Sequence, residues 1–231
     1  MALEIPAISI IIPVLNEAGG INHLIAHLRS IDVGRSSEII VVDGDPDGGT
    51  LKAIRDGSVI KVKSARGRAR QMNEGARIAG GNTLLFLHAD TELPQEALSL
   101  IVTALNDGGF VGGAFDLAIK SRRLSFRLIE SMASFRSRIT GIPFGDQAIF
   151  IRKDYFQAIG GYSDMPLMED IEIMQRIKKR GSKIRIIRRQ VLTSPRRWEN
   201  EGIVRCTLRN WLLQLLHYCG VSPSTLMKWY L

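Results

Sequence analysis

The chain is poor in cysteine, in aromatic residues and in long apolar runs. Its two cysteines, Cys206 and Cys219, are too few to staple 231 residues, so a reducing, cytoplasmic compartment is expected. Aromatic residues make up 6% of the chain. That is sparse for the interleaved stacking surface of a nucleic-acid binder, and no nucleic-acid partner is expected. No uninterrupted apolar run reaches the length that crosses a bilayer. The first six residues lack a basic region followed by an apolar core, so they do not read as a secretory leader. There is also no internal repeat, low-complexity tract or linker. A single domain is the economical reading.

What the chain does have is an ordinary globular composition, 45% hydrophobic and 23% charged, which excludes disordered and collagen-like classes. Lys and Arg number 31 against 23 Asp and Glu, a formal charge of +8. That balance points to an anionic partner: nucleic acid, a membrane surface or a phosphorylated small molecule.

Short β-rich runs alternate with helical patterns in the first half. Residues 8–14 form a continuous apolar run, as in a strand covered on both faces. Ile21, Leu24, Ile25, Leu28 and Ile31 recur at helical spacing. Strands are expected at 38–43, 59–62 and 83–88, with a helix through Ala69, Met72, Ala76 and Ala79. Pro94 suits the first turn of a helix carrying Leu98, Ile101, Val102 and Leu105. This alternation predicts an α/β fold with a mostly parallel sheet and helices on both faces. In the second half, 110–119 reads as a strand broken at Gly112-Gly113. Leu124, Leu128, Met132 and Phe135 mark a helix. Strands are expected at 148–151 and 183–187, and helices around Ile171–Ile177 and at 203–218.

Ligands of open parallel sheets bind beyond the carboxyl ends of the strands. The unusual polar residues fall there. Asn16 and Glu17 follow strand one, as a helix cap and a first-turn acid or as ligand groups. Asp43, Asp45 and Asp47 follow strand two, in a Gly/Asp/Pro turn or an acidic site. Arg66, Arg68 and Arg70 form a compact cationic triplet, either a solvated helix face or a cradle for one diphosphate. His88 and Asp90 follow strand four. In extended chain, residues two apart point the same way, so both side chains can face one divalent ion; the alternative is a packed His and a capping Asp. Glu169-Asp170 opens a helix, as dipole complements or as a carboxylate base at a cleft rim. Gly145-Asp146-Gln147 is a turn or a cleft lining. Arg196-Arg197-Trp198 is a surface basic pair with a packed Trp, or a loop closing over phosphates.

In their order these motifs resemble the inverting family 2 glycosyltransferases with the GT-A fold, over about residues 8–200. Pro13, Asn16 and Glu17 resemble that family's opening Pro-x-x-Asn-Glu. Val41-Val42-Asp43 with Asp45, Asp47 and Thr50 is similar to its second-strand acidic turn. Arg70 and Asn73 match its Ala-Arg-Asn-x-Gly region. Leu87-His88-Ala89-Asp90 stands where the family carries Asp-x-Asp, with His88 in place of the first Asp. The stretch Phe150-Ile151-Arg152, Phe156 and Ile159-Gly160-Gly161-Tyr162 resembles the segment before the base. Glu169-Asp170 with Arg176 and Gly181 resembles the Glu-Asp helix, and Arg196-Arg197-Trp198 the basic-Trp motif of some members. His-Ala-Asp together with residues 141–147 resembles a compact bacterial subgroup.

The resemblance implies a single GT-A domain: a nucleotide-binding half at 1–107, an acceptor and catalytic half at 108–200, and a C-terminal helical segment at 201–231. It implies transfer of a sugar from a nucleotide-diphospho-sugar to an acceptor with inversion. Pro13, Glu17 and Asp43 would hold the nucleoside, with Asn16, Asn73 and Ala89 in the same motifs. Arg70 and Arg66 would face the base or diphosphate. Asp90, with His88 beside it, would ligate Mg2+ or Mn2+. Asp170, next to Glu169, would deprotonate the acceptor. Gly145, Asp146, Gln147, Arg196, Arg197 and Trp198 would form the acceptor or phosphate loops.

Two other classes compete. A sugar-phosphate nucleotidyltransferase shares the layout but needs a Gly-rich loop after strand one, where Leu15-Asn16-Glu17-Ala18 stands. A non-catalytic nucleotide-binding module needs neither a base nor a metal pair. In the tail, Ile203, Val204, Leu208, Trp211, Leu212, Leu215 and Leu216 form an apolar stripe beside Arg205, Arg209 and His217. It serves as a helix packed on the core or in a dimer, or as an amphipathic helix on an anionic membrane that suits a lipid-linked acceptor and a peripheral place on the inner face.

Overall fold

A computed structural model describes residues 7–34 and 36–230. Residues 1–6, the stretch that does not read as a leader, lie outside it. The first half runs β1 (Ile8–Val14), α1 (Ile21–Ile31), β2 (Ser37–Asp43), the short α2 (Gly49–Ala53), β3 (Ile60–Lys63), α3 (Arg68–Ile78) and β4 (Thr83–Phe86). β1 lies between β2 and β4, parallel to both, and β2 pairs parallel with β3.

The continuous apolar runs have a simple cause. Alternate residues of each strand face opposite sides, and both sides are covered. Ile8, Ile10, Ile12 and Val14 join Ile39 and Val41 against α1 residues Ile21, Leu24 and Leu28. Ile11, Ile40 and Val42 face the other way, onto Ala69, Met72 and Ala76 of α3. Each such buried Ile or Leu contributes about 1.5–3 kcal/mol relative to exposure.

The second half adds β5 (Thr91–Glu92), α4 (Ala97–Asn106), β6 (Phe110–Ile119), α5 (Leu124–Thr140), a 3-10 turn (Gly145–Gln147), β7 (Phe150–Arg152), α6 (Lys153–Ala158), α7 (Glu169–Lys179), β8 (Lys183–Thr193), α8 (Arg196–Glu201), α9 (Ile203–Tyr218) and α10 (Pro223–Tyr230). All eight strands form one sheet in the order β3-β2-β1-β4-β7-β6-β8-β5. β7 runs antiparallel to β4 and β6, β8 parallel to β6, and β5 antiparallel to β8.

Several expectations need correction. β6 is not broken at Gly112-Gly113; it runs through, with register shifts. The glycines are there because a Cβ at Gly112 would strike the Phe150 carbonyl and one at Gly113 the Arg185 carbonyl. Neighbouring strands come too close for any side chain. Helix α4 starts at Ala97 rather than at Pro94, whose carbonyl accepts from the Ala97 amide in the preceding turn. β8 continues six residues past 187, because its pairing with β6 extends to Thr193. The strand expected at 148–151 is Phe150–Arg152, since Ala148 adopts a left-handed φ of 51°. Strand four ends at Phe86, so His88-Ala89-Asp90 is a turn closed by the Thr91 amide on the His88 carbonyl, 3.1 Å. The extended-chain argument for His88 and Asp90 therefore fails in its geometry, although both residues line the same cavities. α2, β5, α6 and α8 are additions to the elements expected from sequence; they are short, and tertiary contacts rather than local periodicity hold them.

Candidate active site

Three adjoining cavities of about 250, 360 and 400 Å3 open beyond the carboxyl ends of β1 and β4. Asp90 lines all three, and Arg68 and His88 line two. The motif residues thus meet in one cleft, from segments far apart in the chain.

One wall is the start of α7. Met168 takes a left-handed φ of 68° and turns the chain into the helix. Asp170 follows in the first turn. Its Oδ2 accepts the Gly145 amide at 2.8 Å, and its Oδ1 accepts the Ile171 amide at 2.8 Å. The carboxylate is thereby fixed at the rim of the 250 Å3 cavity. Gly145 is required here by close approach: a Cβ would sit 2.8 Å from His88 Nε2 and 3.5 Å from Asp170 Oδ2. Glu169 points elsewhere. It is 2% exposed and its Oε1 meets Arg68 Nε at 2.8 Å. Among the described residues its Oε2 has no hydrogen-bond partner. Glu169 therefore anchors Arg68 in the cleft, and the two acids of the motif have separate situations.

The electrostatics follow from crowding. Burial works against charge on Arg68, but Glu169, then Asp170, more than offset it and hold the guanidinium firmly protonated. Burial raises the Glu169 carboxyl, with Arg68 opposing. Burial, aided by Arg68, pushes His88 down to about 3, so the imidazole is neutral at physiological pH and keeps a lone pair. Burial, then the Asp170 charge, pushes Asp146 up to about 6. Asp90 is open to the cleft, yet the walls around it exclude enough water to raise its carboxyl. Arg196 opposes that shift and Glu17 adds to it.

The other expected residues divide. Pro13, Glu17, Arg66 and Ala89 line the 360 Å3 cavity together with Arg68 and Asp90. Glu17 also holds Arg196 at 2.7 Å, closing a bridge across the cleft from β1 to α8. Asn16 does not cap α1, which starts at Ile21 after Gly20; it holds a left-handed φ of 60° beside the 400 Å3 cavity. Gly145, Asp146, Arg197 and Trp198 line the cavity that holds Asp170. Arg197 is not on a loop: it lies in α8, over the Tyr230 ring at 4.0 Å, and Trp198 meets Phe126 edge-on at 6.0 Å.

Four residues do not reach the cleft. Asp43 is fully buried, and its two oxygens accept the amides of Asp45 and Thr50, which shape the acidic turn. Asn73 clamps both the amide and the carbonyl of Tyr162. Arg70 pairs with Asp164 at 2.7 Å on the outer surface. Gln147 is buried, donating to the Phe115 carbonyl and Ser137 Oγ, so of its turn only Gly145 and Asp146 line the cleft. None of the four lines these three cavities. Arg68, named in the sequence as part of a cationic triplet that could cradle a diphosphate, lines the cleft. Leu167 and Tyr230 gave no pattern, since only the tertiary fold brings α10 across the opening.

Among the described residues, no group of three or more His, Cys, Asp or Glu is arranged to hold a metal ion. The chain offers two donors on one cleft instead, the Asp90 carboxylate and the neutral His88 imidazole. Both suit a hard to borderline divalent cation that takes its remaining ligands from a diphosphate and water.

The model of a known family, described as glycosyl transferase family 2, matches residues 9–160. The chain belongs to glycosyl transferase family 2. It is 26% identical over 163 residues to a dolichol-phosphate mannosyltransferase of Pyrococcus furiosus, covering 67% of this chain and 45% of that protein. Its fold is similar to a mannosyltransferase from Pyrobaculum calidifontis solved in complex with GDP-Man and Mn2+. The TM-score is 0.64 at 22% identity, over 81% of this chain and 56% of the other. TarS residues 1–349 of S. aureus, in complex with UDP, give 0.62 at 15% identity, over 81% and 60%. The chain therefore spans about half the length of these relatives. The likeness bears out the GT-A α/β fold expected from sequence.

Proposed function

We propose that this family 2 chain transfers a glycosyl group from a nucleotide-diphospho-sugar to an acceptor, with inversion and with Asp170 as the base. The observation that carries this reading is the placement of the Asp170 carboxylate by the Gly145 amide, in the same cleft as Arg68, His88 and Asp90. Inversion needs a base on the face of the sugar opposite the departing diphosphate. A carboxylate held by backbone amides at a helix start is oriented for that role, and the mouth of its cavity leaves room for an acceptor. The donor lies across the N-terminal half, 1–107. Pro13, Glu17, Arg66 and Ala89 border its nucleotide, and Arg68 faces the diphosphate as a fixed cation. The acceptor meets the half formed by 108–200.

A divalent ion, Mg2+ or Mn2+, belongs to this reading. Asp90 and His88 would hold it, and it would supply charge neutralisation to the departing diphosphate. Glu17 pairs with Arg196 at the cleft, so a diphosphate bound near Arg196 would exchange one anionic partner for another. The Leu15-Asn16-Glu17-Ala18 segment is not a phosphate loop, and that weighs against a nucleotidyltransferase. A cytoplasmic protein resting on the inner membrane face, with a lipid-linked acceptor, completes the proposal.

The test is a thermal-shift screen of nucleotide sugars with and without Mn2+, followed by transfer assays on the hit. A ligand that binds the native state raises its melting temperature. Asp170→Asn should lower turnover by 10^2-fold or more, on the order of a general base's contribution, with donor affinity kept. Full turnover in a folded variant rejects the assigned base.

A further inference from the structure

Helix α5 is amphipathic in the reverse of the usual sense. Its buried face carries Phe126, Glu130, Ser134 and Ser137. Glu130 and Ser134 accept the backbone amides of Ile119 and Leu117, so polar contacts hold the helix on β6. Its outer face is apolar: Leu124, Leu128, Met132, Phe135 and Ile139 are exposed by 84, 64, 42, 65 and 67%. Their spacing places all five on one stripe. α9 does the same. It buries only Cys206 and Leu213 and exposes Val204, Leu208, Trp211, Leu212, Leu215 and Tyr218. Of the 15 large apolar residues exposed among the described residues, 12 lie on α5, α9 and α10. Of the tail stripe only Leu216 packs against the core, while Val204, Leu208, Trp211, Leu212 and Leu215 face outward, and a contiguous face of this kind marks a contact surface.

The two stripes meet at a groove of about 380 Å3 between α5 and α9, rimmed by Met132, Phe135 and Trp211. Its floor reaches Asp146 and Trp198, which also line the cavity holding Asp170. Two buried polar atoms in its walls, Arg136 Nη2 and Thr207 Oγ1, have no partner among the described residues. The exposed charges carried by α5, α9 and α10 themselves have one sign. Residues 203–230 contain no Asp or Glu, and the one acid of α5, Glu130, is buried. Arg122, Arg123, Arg205 and Lys228 are exposed and make no ion pair among the described residues.

We infer that the α5–α9 face seats on an anionic lipid bilayer, and that an acceptor with an apolar chain enters the catalytic cleft through the groove between these helices. The acceptor half of this inference rests on the transferase reading above; the seat does not. A bilayer answers both features of the face, apolar insertion and uncompensated cations. A second copy of the chain docked on the same face would set the same unpaired cations against each other and close the groove.

Full-length chain is sedimented with vesicles of phosphatidylcholine alone and with one third phosphatidylglycerol. The anionic vesicles should take up the protein at least tenfold better, and high salt should reduce that uptake. Leu128→Glu with Leu215→Glu changes two residues outside the cleft and should lower partition by about tenfold or more, with melting temperature unchanged. Arg122→Glu with Arg123→Glu should do the same on anionic vesicles only. In the chain carrying Trp198→Phe and Trp229→Phe, Trp211 is the one tryptophan left of three. Brominated acyl chains should quench its emission, which places lipid at the groove rim. Wild-type protein left in solution with both vesicles overturns the seat. So does a dimer that the Leu128→Glu, Leu215→Glu chain loses, if no vesicle binding accompanies it. Absence of quenching on bound vesicles removes the groove from the seat. GDP and UDP with Mn2+ are screened by thermal shift in parallel: failure there, with vesicle binding kept, counts against the transferase reading alone.

Discussion

Asp146 offers a quantitative test of the cleft's electrostatics. Its carboxyl moves from the ordinary 3.8 to about 6, because burial and then the Asp170 charge both disfavour ionisation. A raised acid binds its proton more tightly in the folded state than in the unfolded state. Stability therefore falls as pH rises from about 4 to about 6, and the cost is fully present above that window. At 1.36 kcal/mol per tenfold change in proton affinity the shift corresponds to about 3 kcal/mol, which screening at a cleft open to water trims to about 1–3 kcal/mol. Asp146→Asn keeps the shape and removes the titration. Urea unfolding of both proteins at pH 4.5 and 7.5 reads Asp146 together with its coupling to Asp170, while remote groups cancel in the difference. About 1 kcal/mol of the cost is already present at pH 4.5, so the variant should gain about 1–2 kcal/mol over wild type on going from the lower pH to the higher. A difference that does not change with pH refutes the claim that Asp146 is forced to ionise beside Asp170.

The remaining predictions concern neighbouring contacts. Glu169→Gln removes the counter-charge of the Arg68 guanidinium, whose 38% exposure lets water screen it, and should cost about 1–2 kcal/mol in denaturant unfolding; no loss at all would show that the pair is not structural. Gly145→Ala drives a methyl to within 2.8 Å of His88 Nε2. It should displace the amide that holds Asp170 and lower turnover more than donor affinity, a split readable in kcat against KM. Asp90→Ala should weaken Mn2+-dependent nucleotide binding in calorimetry, and unchanged metal dependence would remove Asp90 as a ligand.

Much of the N-terminal half was legible because its physics is local. β1, β2 and β4 read as unbroken apolar runs, and helices on both faces of a parallel sheet demand that pattern. The carboxyl-end rule then located Glu17, His88 and Asp90 from strand positions alone. Reading roles from motif order was less secure. Asp43 and Asn73 sit in the right motifs, yet their polar atoms are spent on backbone partners, and no spacing rule reveals which way a side chain is committed. Nor did the pattern at Glu169-Asp170 show that adjacent acids separate, one buried against Arg68 and one at the cleft rim.

By itself the sequence determined the α/β layering, the one-domain scale and the strand ends where polar chemistry gathers, because periodicity and turn chemistry act over a few residues. Only the tertiary structure decided which carboxylate faces the cleft and that Tyr230 closes it. Only the tertiary structure showed that the apolar stripes of α5 and α9 point outward. Helical periodicity records that a stripe exists. Which side of the helix meets the core depends on the partner surface, and here β6 holds α5 by its polar side through Glu130 and Ser134.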